Sequence, residues 1–400
     1  METGPLLQRG YLWQRNWTPA VAAAYVEADE KMDGLVVLGA EIVWKNSIPQ
    51  VIRASVPWQL LKNSTKPCSI ALRIAPFPGP FQTGDASTRY IVESAQSLLA
   101  EAKANGVAIG ELQIDFDCGQ KKLGGYRLWL QALRSAIQPQ RLVITTLPSW
   151  LDESDFLPLV READGYVLQV HSVPTSKESG HAVLCDPELA KQWVSKASRL
   201  GLPFSVALPT YRCLAGYGAD GKLLGVMMDS VPLAWPEGTY VLEFGVNEDE
   251  MAELVQEWRT NPPAGLKGVL WYRIPVATDE LNWTWATLSA VMAGRKPLHR
   301  LAAVQEGSNP IDLSIVNDGE GDEPQDAAVT ATWINARLIA SDALDGWTVE
   351  IEPGRAVFRP EPGFHPRLSP GERRSIGWLR YDGAPTLQVE VAAPASMSHH

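Results

Sequence analysis

The chain has 400 residues, of which 45% are hydrophobic and 20% are charged, a balance typical of a globular protein with a large core. This composition excludes a disordered or collagen-like chain, and the length exceeds that of one small domain. Asp and Glu together number 46 against 35 Lys and Arg, so the net charge of −11, without any basic cluster, predicts no nucleic-acid partner.

The sequence contains no segment of the roughly 18 uninterrupted apolar residues that a membrane helix needs, so we expect no membrane span. The four cysteines are far apart and form no C-x-x-C pair, which argues against a disulfide framework and against a zinc site. No other pattern indicates a metal or a cofactor. Tryptophan is abundant, at 15 residues, and its large rings serve either as core or as stacking surfaces for sugars.

Short apolar segments alternate with amphipathic segments over residues 8–298, which is the pattern of parallel strands connected by helices. Thr18-Pro19, Asp186-Pro187 and Asn247 with Glu250 are typical helix starts. Eight strands without a G-x-G-x-x-G motif favour a closed (β/α)₈ barrel, or TIM barrel, over an open doubly wound sheet. The strand candidates are 11–17, 34–44, 68–75, 110–118, 141–147, 165–172, 203–209 and 268–274.

Two insertions interrupt the alternation. Residues 46–66 include an extended segment at 48–53, and residues 211–245 include strand-like segments at 223–228 and 239–244. Long loops after barrel strands are where functional sites are built.

The pattern of hydrophobic and polar residues changes after Pro297. Short alternating strands separated by Pro and Gly turns predict a small all-β sandwich over residues 299–395. The acidic stretch 318–323 lacks the spacing of a calcium-binding EF-hand, so we expect it to be a solvated loop.

Two carboxylates end the fourth strand candidate. Leu112, Ile114 and Phe116 share one parity, so Asp115 and Asp117 take the other and point into the barrel. Like charges in a partly desolvated barrel mouth raise one another's pKa, which suits proton transfer near neutral pH. The structural alternative is that Asp115 pairs with Arg73 and that Asp117 caps the following loop.

Other polar or aromatic residues near strand ends are candidates for binding substrate at the barrel mouth. They are Trp13, Arg15, Arg73, Gln169, His171, Trp271, Tyr272 and Arg273, and the same parity argument predicts that all of them except Tyr272 point inward. The arginines either contact a polar substrate or balance charge at the top of the barrel. His171 is a hydrogen-bonded mouth residue, a proton carrier or a metal ligand, and a lone histidine makes the metal role the least favoured of these.

A glycosidase of the usual kind needs a second carboxylate. Glu41, Glu243 and the pair Asp279-Glu280 are available, although for Glu243 and the pair an ordinary exposed acid is the favoured interpretation.

The segments YLWQRNW (11–17), QIDFD (113–117) and GVLWYRIP (268–275) together resemble a family of uncharacterised bacterial exported proteins defined only as a domain of unknown function. The resemblance spans most of the barrel and implies an exported bacterial protein. It supplies no catalytic residue.

The Asp-x-Asp at the end of the fourth strand is also similar to glycoside-hydrolase barrels of the chitinase type and to retaining α-glycosidases. The chitinase pattern D-x-D-x-E places its aspartates on Asp115 and Asp117, but its glutamate falls on Gly119. The α-glycosidase resemblance implies Asp117 as the nucleophile. Both resemblances concern the fold and one short motif.

Our leading hypothesis is a glycoside hydrolase that acts on a bacterial polysaccharide or oligosaccharide. Asp117 would be nucleophile or base, Asp115 would tune it, and Glu41 or Glu243 would donate the proton.

Two alternatives remain. Because Gly119 replaces the chitinase glutamate, the barrel is alternatively a non-catalytic glycan-binding protein. A metal-dependent deacetylase-like hydrolase would use Asp115, Asp117 and His171. The sequence leaves the sugar, the linkage and the oligomeric state open.

Overall fold

Eight parallel strands close into a barrel in the first of two units into which the chain divides. The structure is a computed structural model that describes residues 5–46, 48–173, 183–228, 234–324, 327–344, 346–361 and 367–392. The first unit ends at Asn282, and the second begins at Trp283.

The strands of the first unit are β1 (Leu7–Leu12), β2 (Gly34–Lys45), β3 (Ile48–Arg53), β4 (Cys68–Ile74), β5 (Ile109–Phe116), β6 (Arg141–Thr146), β7 (Gly165–Gln169), β8 (Phe204–Pro209), β9 (Cys213–Tyr217), β10 (Leu223–Met227), β11 (Tyr240–Phe244) and β12 (Leu266–Tyr272). The barrel order is β1-β12-β8-β7-β6-β5-β4-β2, and pairing of β1 with β2 closes it. The predicted (β/α)₈ barrel is therefore confirmed.

The helices of the first unit are α1 (Pro19–Lys31), α2 (Trp58–Lys62), α3 (Ala86–Ala104), α4 (Leu123–Ala136), α5 (Phe156–Val160), α6 (Pro187–Ser198) and α7 (Glu248–Thr260). Three of them begin where the sequence predicts a cap. The side chains of Thr18, Asp186 and Asn247 each accept a hydrogen bond from a first-turn backbone N–H, which satisfies a donor that the helix leaves unpaired.

The barrel interior contains a layer of inward side chains contributed by the successive strands. Seven of them pack as an apolar cluster: Tyr11, Val36, Ala71, Val143, Val167, Ala207 and Leu270. Gln113 pairs in register with Ala71 and with Val143, so it occupies the position that β5 contributes to this layer.

Both insertions form antiparallel strands. The segment 48–53 is β3, which pairs with the end of β2, and β10 and β11 flank β9 in a separate three-stranded sheet. The sequence predicts the outer strands of that sheet but not β9, whose five residues follow β8 almost directly.

The second unit begins with helix α8 (Trp285–Met292) and continues as antiparallel strands. Sheets of order β13-β14-β21-β17 and β18-β19-β16-β22 share one buried cluster that includes Leu313, Ile376 and Phe358, and a short β15-β20 pair accompanies them. This architecture confirms the predicted β-sandwich. The strands are β13 (Leu301–Glu306), β14 (Ile311–Asn317), β15 (Glu323–Pro324), β16 (Val329–Ile334), β17 (Leu338–Ala343), β18 (Trp347–Glu352), β19 (Arg355–Pro360), β20 (Arg367–Leu368), β21 (Arg373–Tyr381) and β22 (Thr386–Val391).

The acidic stretch 318–323 is only in part the solvated loop that the sequence predicts. Asp318 is exposed and Glu320 is partly exposed, whereas Asp322 is buried. The Glu320 carboxylate accepts hydrogen bonds from Arg295 at 2.6 and 2.8 Å and from the Leu298 backbone at 2.9 Å, partners that a run of acids does not reveal.

Within the described residues, no helix combines the length and the apolar character needed to span a membrane.

Candidate functional site

A cavity of about 390 Å³ opens at the carboxyl ends of the barrel strands. Seven residues named from the sequence line it, namely Trp13, Arg73, Asp115, Asp117, Gln169, His171 and Tyr272. Its volume lies toward the small end of the range for organic-ligand pockets.

Strand register brings three charged residues into one row. Glu41 on β2 is the register partner of Arg73 on β4, and Arg73 is the partner of Asp115 on β5. An irregularity between Leu38 and Ala40 shifts β2 by one residue. A Cβ atom at Gly39 would lie only 2.6 Å from Ile70, so glycine fits the close packing at this point.

The Glu41 carboxylate is buried between two arginines. Its Oε1 lies 3.2 Å from Arg73, and its Oε2 accepts a hydrogen bond from Arg15. Arg15 lies in the loop after β1 rather than on a strand, because β1 ends at Leu12. Neither Glu41 nor Arg15 is among the described residues that line the cavity.

Asp115 is oriented by two neutral donors. The Thr145 hydroxyl donates to its Oδ1 at 2.7 Å and the Gln169 amide donates to the same atom at 3.2 Å, while Arg73 Nε lies 3.8 Å from Oδ2. Burial and the charge of Asp117 raise the pKa of Asp115 to about 6, although these three partners act in the opposite direction.

Asp117 follows the end of β5 and retains accessible surface at the cavity mouth. Its carboxylate makes no hydrogen bond or ion pair with any other residue that the structure describes. Partial loss of solvent raises the pKa of Asp117, and the positive charge of Arg73 offsets part of that effect. The cavity thus holds one carboxylate that is available to a ligand.

Aromatic rings form the wall contributed by β1, β12 and the loops that follow β7 and β8. Tyr11, Trp13 and Tyr272 pack edge to face, with ring centroids 5.3 to 5.9 Å apart. His171 stacks on Tyr272 at 5.6 Å, and its Nδ1 lies 3.5 Å from the Tyr211 hydroxyl. Burial lowers the pKa of His171 to about 4, so its ring is neutral at physiological pH.

Gln113 lies on the same face of β5 as Asp115, two residues nearer the base of the barrel. It is fully buried, and neither of its amide atoms has a hydrogen bond of standard geometry to a described residue, although its side chain is close enough to the Tyr11 hydroxyl to lower the pKa of that group.

The structure corrects the position predicted for Trp271. Leu270 and Tyr272 share the inward parity of Tyr11, so Trp271 points outward, is fully buried, and donates a hydrogen bond from Nε1 to Gln8 at 2.8 Å. It does not reach the cavity.

Arg273 and Glu243 are also absent from the described lining of the cavity. Arg273 is buried, donates to Asp279 at 2.8 Å, and donates to the Met228 carbonyl at 2.6 Å. Glu243 lies on β11, where its Oε1 is 3.7 Å from Arg212. The three-stranded insertion, rather than the barrel, determines its position.

Several residues that line the cavity were not predicted from the sequence as site residues, including Tyr11, Thr145 and Tyr211. Thr145 could have been predicted as a site residue, since it is a polar residue near the end of a predicted strand. Tyr11 belonged to a predicted strand but was not singled out, and Tyr211 lies just beyond β8.

Within the described parts of the chain, no cluster of three or more His, Cys, Asp or Glu residues is arranged to hold a metal ion. Asp115, Asp117 and His171 therefore do not form the metal-binding set that a deacetylase-like hydrolase would need.

The model of a family described as "Domain of unknown function (DUF3142)" matches residues 77–277, half of the chain. The chain belongs to the DUF3142 family. The match covers β5, β6 and β7 and therefore both aspartates of the cavity. A second model, "Domain of unknown function (DUF8456)", matches residues 300–382 of this DUF3142 protein. No curated protein matches this chain.

Solved structures with a similar chain path include chitinase ChiA74 from Bacillus thuringiensis, with 10% identity and a TM-score of 0.49 over 96% of this chain and 100% of that one. A chitinase from Chromobacterium violaceum has 12% identity and a TM-score of 0.49 over 72% and 98%. The Bacillus cereus spore cortex-lytic enzyme SleL has 9% identity and a TM-score of 0.49 over 73% and 74%.

Proposed function

We propose that this protein is a glycoside hydrolase that cleaves a polysaccharide or oligosaccharide in the barrel cavity. The observation that carries the proposal is the pair Asp115 and Asp117, two carboxylates with raised pKa values, one of them without a partner among the described residues. The partly exposed side chains of Trp13 and Tyr272 also line the cavity, and aromatic rings suit contact with the faces of sugar rings.

Asp117 acts as nucleophile or base, because its carboxylate is available at the mouth of the cavity. Asp115 tunes it by holding a proton more readily than an ordinary aspartate, since its pKa is about 6. When Asp115 is protonated, the negative charge of the pair resides on Asp117.

Glu41 and Glu243 were the proton donors suggested by the sequence. Glu41 is held by two arginines, and no carboxylate other than the two aspartates belongs to the described lining. In our proposal, protonated Asp115 therefore gives its proton to the leaving-group oxygen as the glycosidic bond breaks, while Asp117 bonds to the anomeric carbon or takes a proton from the water that attacks it.

The test is release of reducing ends from a panel of oligosaccharides by the wild-type protein and by Asp117→Asn. We expect the variant to lose about 10²- to 10⁴-fold in kcat, the usual contribution of a positioned acid or base, and to keep its fold. Glu243→Gln is the control and should retain activity. Equal turnover by Asp117→Asn and the wild type would refute the assignment.

A glycan-binding barrel without turnover is the second candidate. It is favoured by Gly119, which stands where the chitinase pattern has its glutamate. In that case the wild-type protein binds oligosaccharides but releases no product, and Asp117→Asn changes affinity alone.

We further propose that the protein is exported, as the sequence resemblance implies, and that its substrate is a bacterial polysaccharide. Fractionation of the producing cells tests export, and recovery of the protein only with the cytoplasmic fraction would contradict it.

A further inference from the structure

Among the residues that the structure describes, the charged groups around the cavity do not balance when both aspartates are ionised. Asp115, Asp117 and Glu41 carry up to three negative charges, whereas Arg73 and Arg15 carry two positive charges. Both arginines lie against Glu41, and Arg73 is also near Asp115. The excess negative charge is on Asp117: the charge of Arg73 lowers its pKa, but no described cation forms an ion pair with its carboxylate.

The cavity that holds this charge also suits a cation. The π faces of tryptophan and tyrosine attract ammonium groups, and the partly exposed side chains of Trp13 and Tyr272 line the cavity. His171 adds no positive charge that would repel a cation, because its ring is neutral above about pH 5.

An anionic ligand is disfavoured by the same geometry. Arg73 is the one arginine of the described lining, and its guanidinium is already shared between Glu41 at 3.2 Å and Asp115 at 3.8 Å. A carboxylate or phosphate entering the cavity would also meet Asp117. A neutral sugar would leave the Asp117 charge uncompensated in a site that loses water when it is filled.

We infer that the cavity binds an amino sugar whose amine is free and protonated, in preference to its N-acetylated counterpart, with Asp117 as the partner of the ammonium group. This inference rests on the proposed function only for the place where the glycan binds. It concerns binding and holds whether or not a glycosidic bond is then cleaved.

Affinity measurements test the inference with defined probes. The probes are tetramers of glucosamine and of galactosamine and the N-acetylated tetramers of the same sugars, titrated calorimetrically at pH 6.5. We expect the wild-type protein to bind at least one amine tetramer about tenfold or more tightly than its N-acetylated counterpart, as one ion pair or cation–π contact would provide. Asp117→Asn should abolish this preference.

Asp152→Asn is the matched control, because it removes the same charge from a surface residue paired with Lys196. The control should keep the wild-type preference. Comparable affinity for the amine and N-acetyl forms in both sugar series would overturn the inference. A preference that survives in Asp117→Asn would overturn the role of Asp117.

The binding and cleavage measurements can support one of the two proposals and contradict the other. Tight binding of an amine tetramer without product release supports the inference and contradicts the hydrolase. Cleavage of neutral or N-acetylated glycans without a preference for amines supports the hydrolase and contradicts the inference.

Discussion

The Thr145 hydroxyl donates a hydrogen bond of 2.7 Å to the Asp115 carboxylate from the neighbouring strand. This bond stabilises the ionised form of Asp115 and so lowers a pKa that burial and Asp117 raise. The acidity of the aspartate pair is therefore set partly by a neutral residue on β6.

Thr145→Val should raise the pKa of Asp115 above its value of about 6. A hydrogen bond to a charged group contributes about 1.5 kcal/mol or more, which corresponds to roughly one pKa unit. Carboxyl-carbon NMR titration measures the change directly, and the pH–activity profile should shift in the same direction. Thr146→Val, which removes a hydrogen bond to the Val167 carbonyl, is the control and should leave the Asp115 titration unchanged.

The parity of β5 could be predicted because the strand alternates. Leu112, Ile114 and Phe116 are buried on the helix side, and the aspartates take the other face. The parity of β12 could not be predicted in this way. Leu270 and Trp271 are both fully buried, since a barrel strand is covered on both faces, and hydrophobicity then does not distinguish inside from outside.

The residues that pair with Glu41 and Glu243 could not be predicted from the sequence either. The pairing of Glu41 with Arg73 depends on the register shift beside Gly39, and the position of Glu243 depends on β9, which the sequence did not reveal. Pairing between strands is a long-range property that local periodicity does not encode.

Glu41→Gln should change the titration of Asp115 in the direction opposite to Thr145→Val. Without the Glu41 charge, Arg73 interacts more strongly with Asp115 and lowers the pKa of that carboxyl. We also expect a loss of roughly 1–3 kcal/mol in the free energy of unfolding, less than for a fully buried pair because both arginines are about half exposed. NMR titration and urea unfolding test the two effects. A pKa of Asp115 that rises in this variant would contradict the shared role of Arg73.

Asp115→Asn should stabilise the protein at neutral pH. A folded-state pKa raised from 3.8 to about 6 means that the folded protein binds the proton more tightly than the unfolded chain, so stability falls as pH rises through this window. The full effect is about 3 kcal/mol above pH 6, and the opposing effect of Arg73 is already included in the pKa of about 6. Urea unfolding should therefore find the variant roughly 1–3 kcal/mol more stable at pH 7 and about equal to the wild type at pH 4. Asp152→Asn should show no such pH dependence.

His171 should not titrate between pH 5 and 8. Its pKa of about 4 in the folded state lies below the ordinary 6.5, so the unfolded chain binds the proton more tightly and stability falls as pH decreases from 6.5 to 4. This loss amounts to about 3 kcal/mol in the wild type and should be absent from His171→Gln. Histidine-selective NMR spectra of the two proteins identify the signal, and a midpoint near 6.5 for His171 would contradict its burial.

Closure of the barrel joins the two ends of the first unit. Tyr11 and Trp13 come from its first strand and the loop after it, and Tyr272, which packs against both, comes from its last strand. During synthesis, the aromatic wall cannot assemble until β12 has left the ribosome. Ligand recognition is thus among the last properties that the growing barrel acquires, and a chain truncated before β12 would lack it even if its other strands had paired.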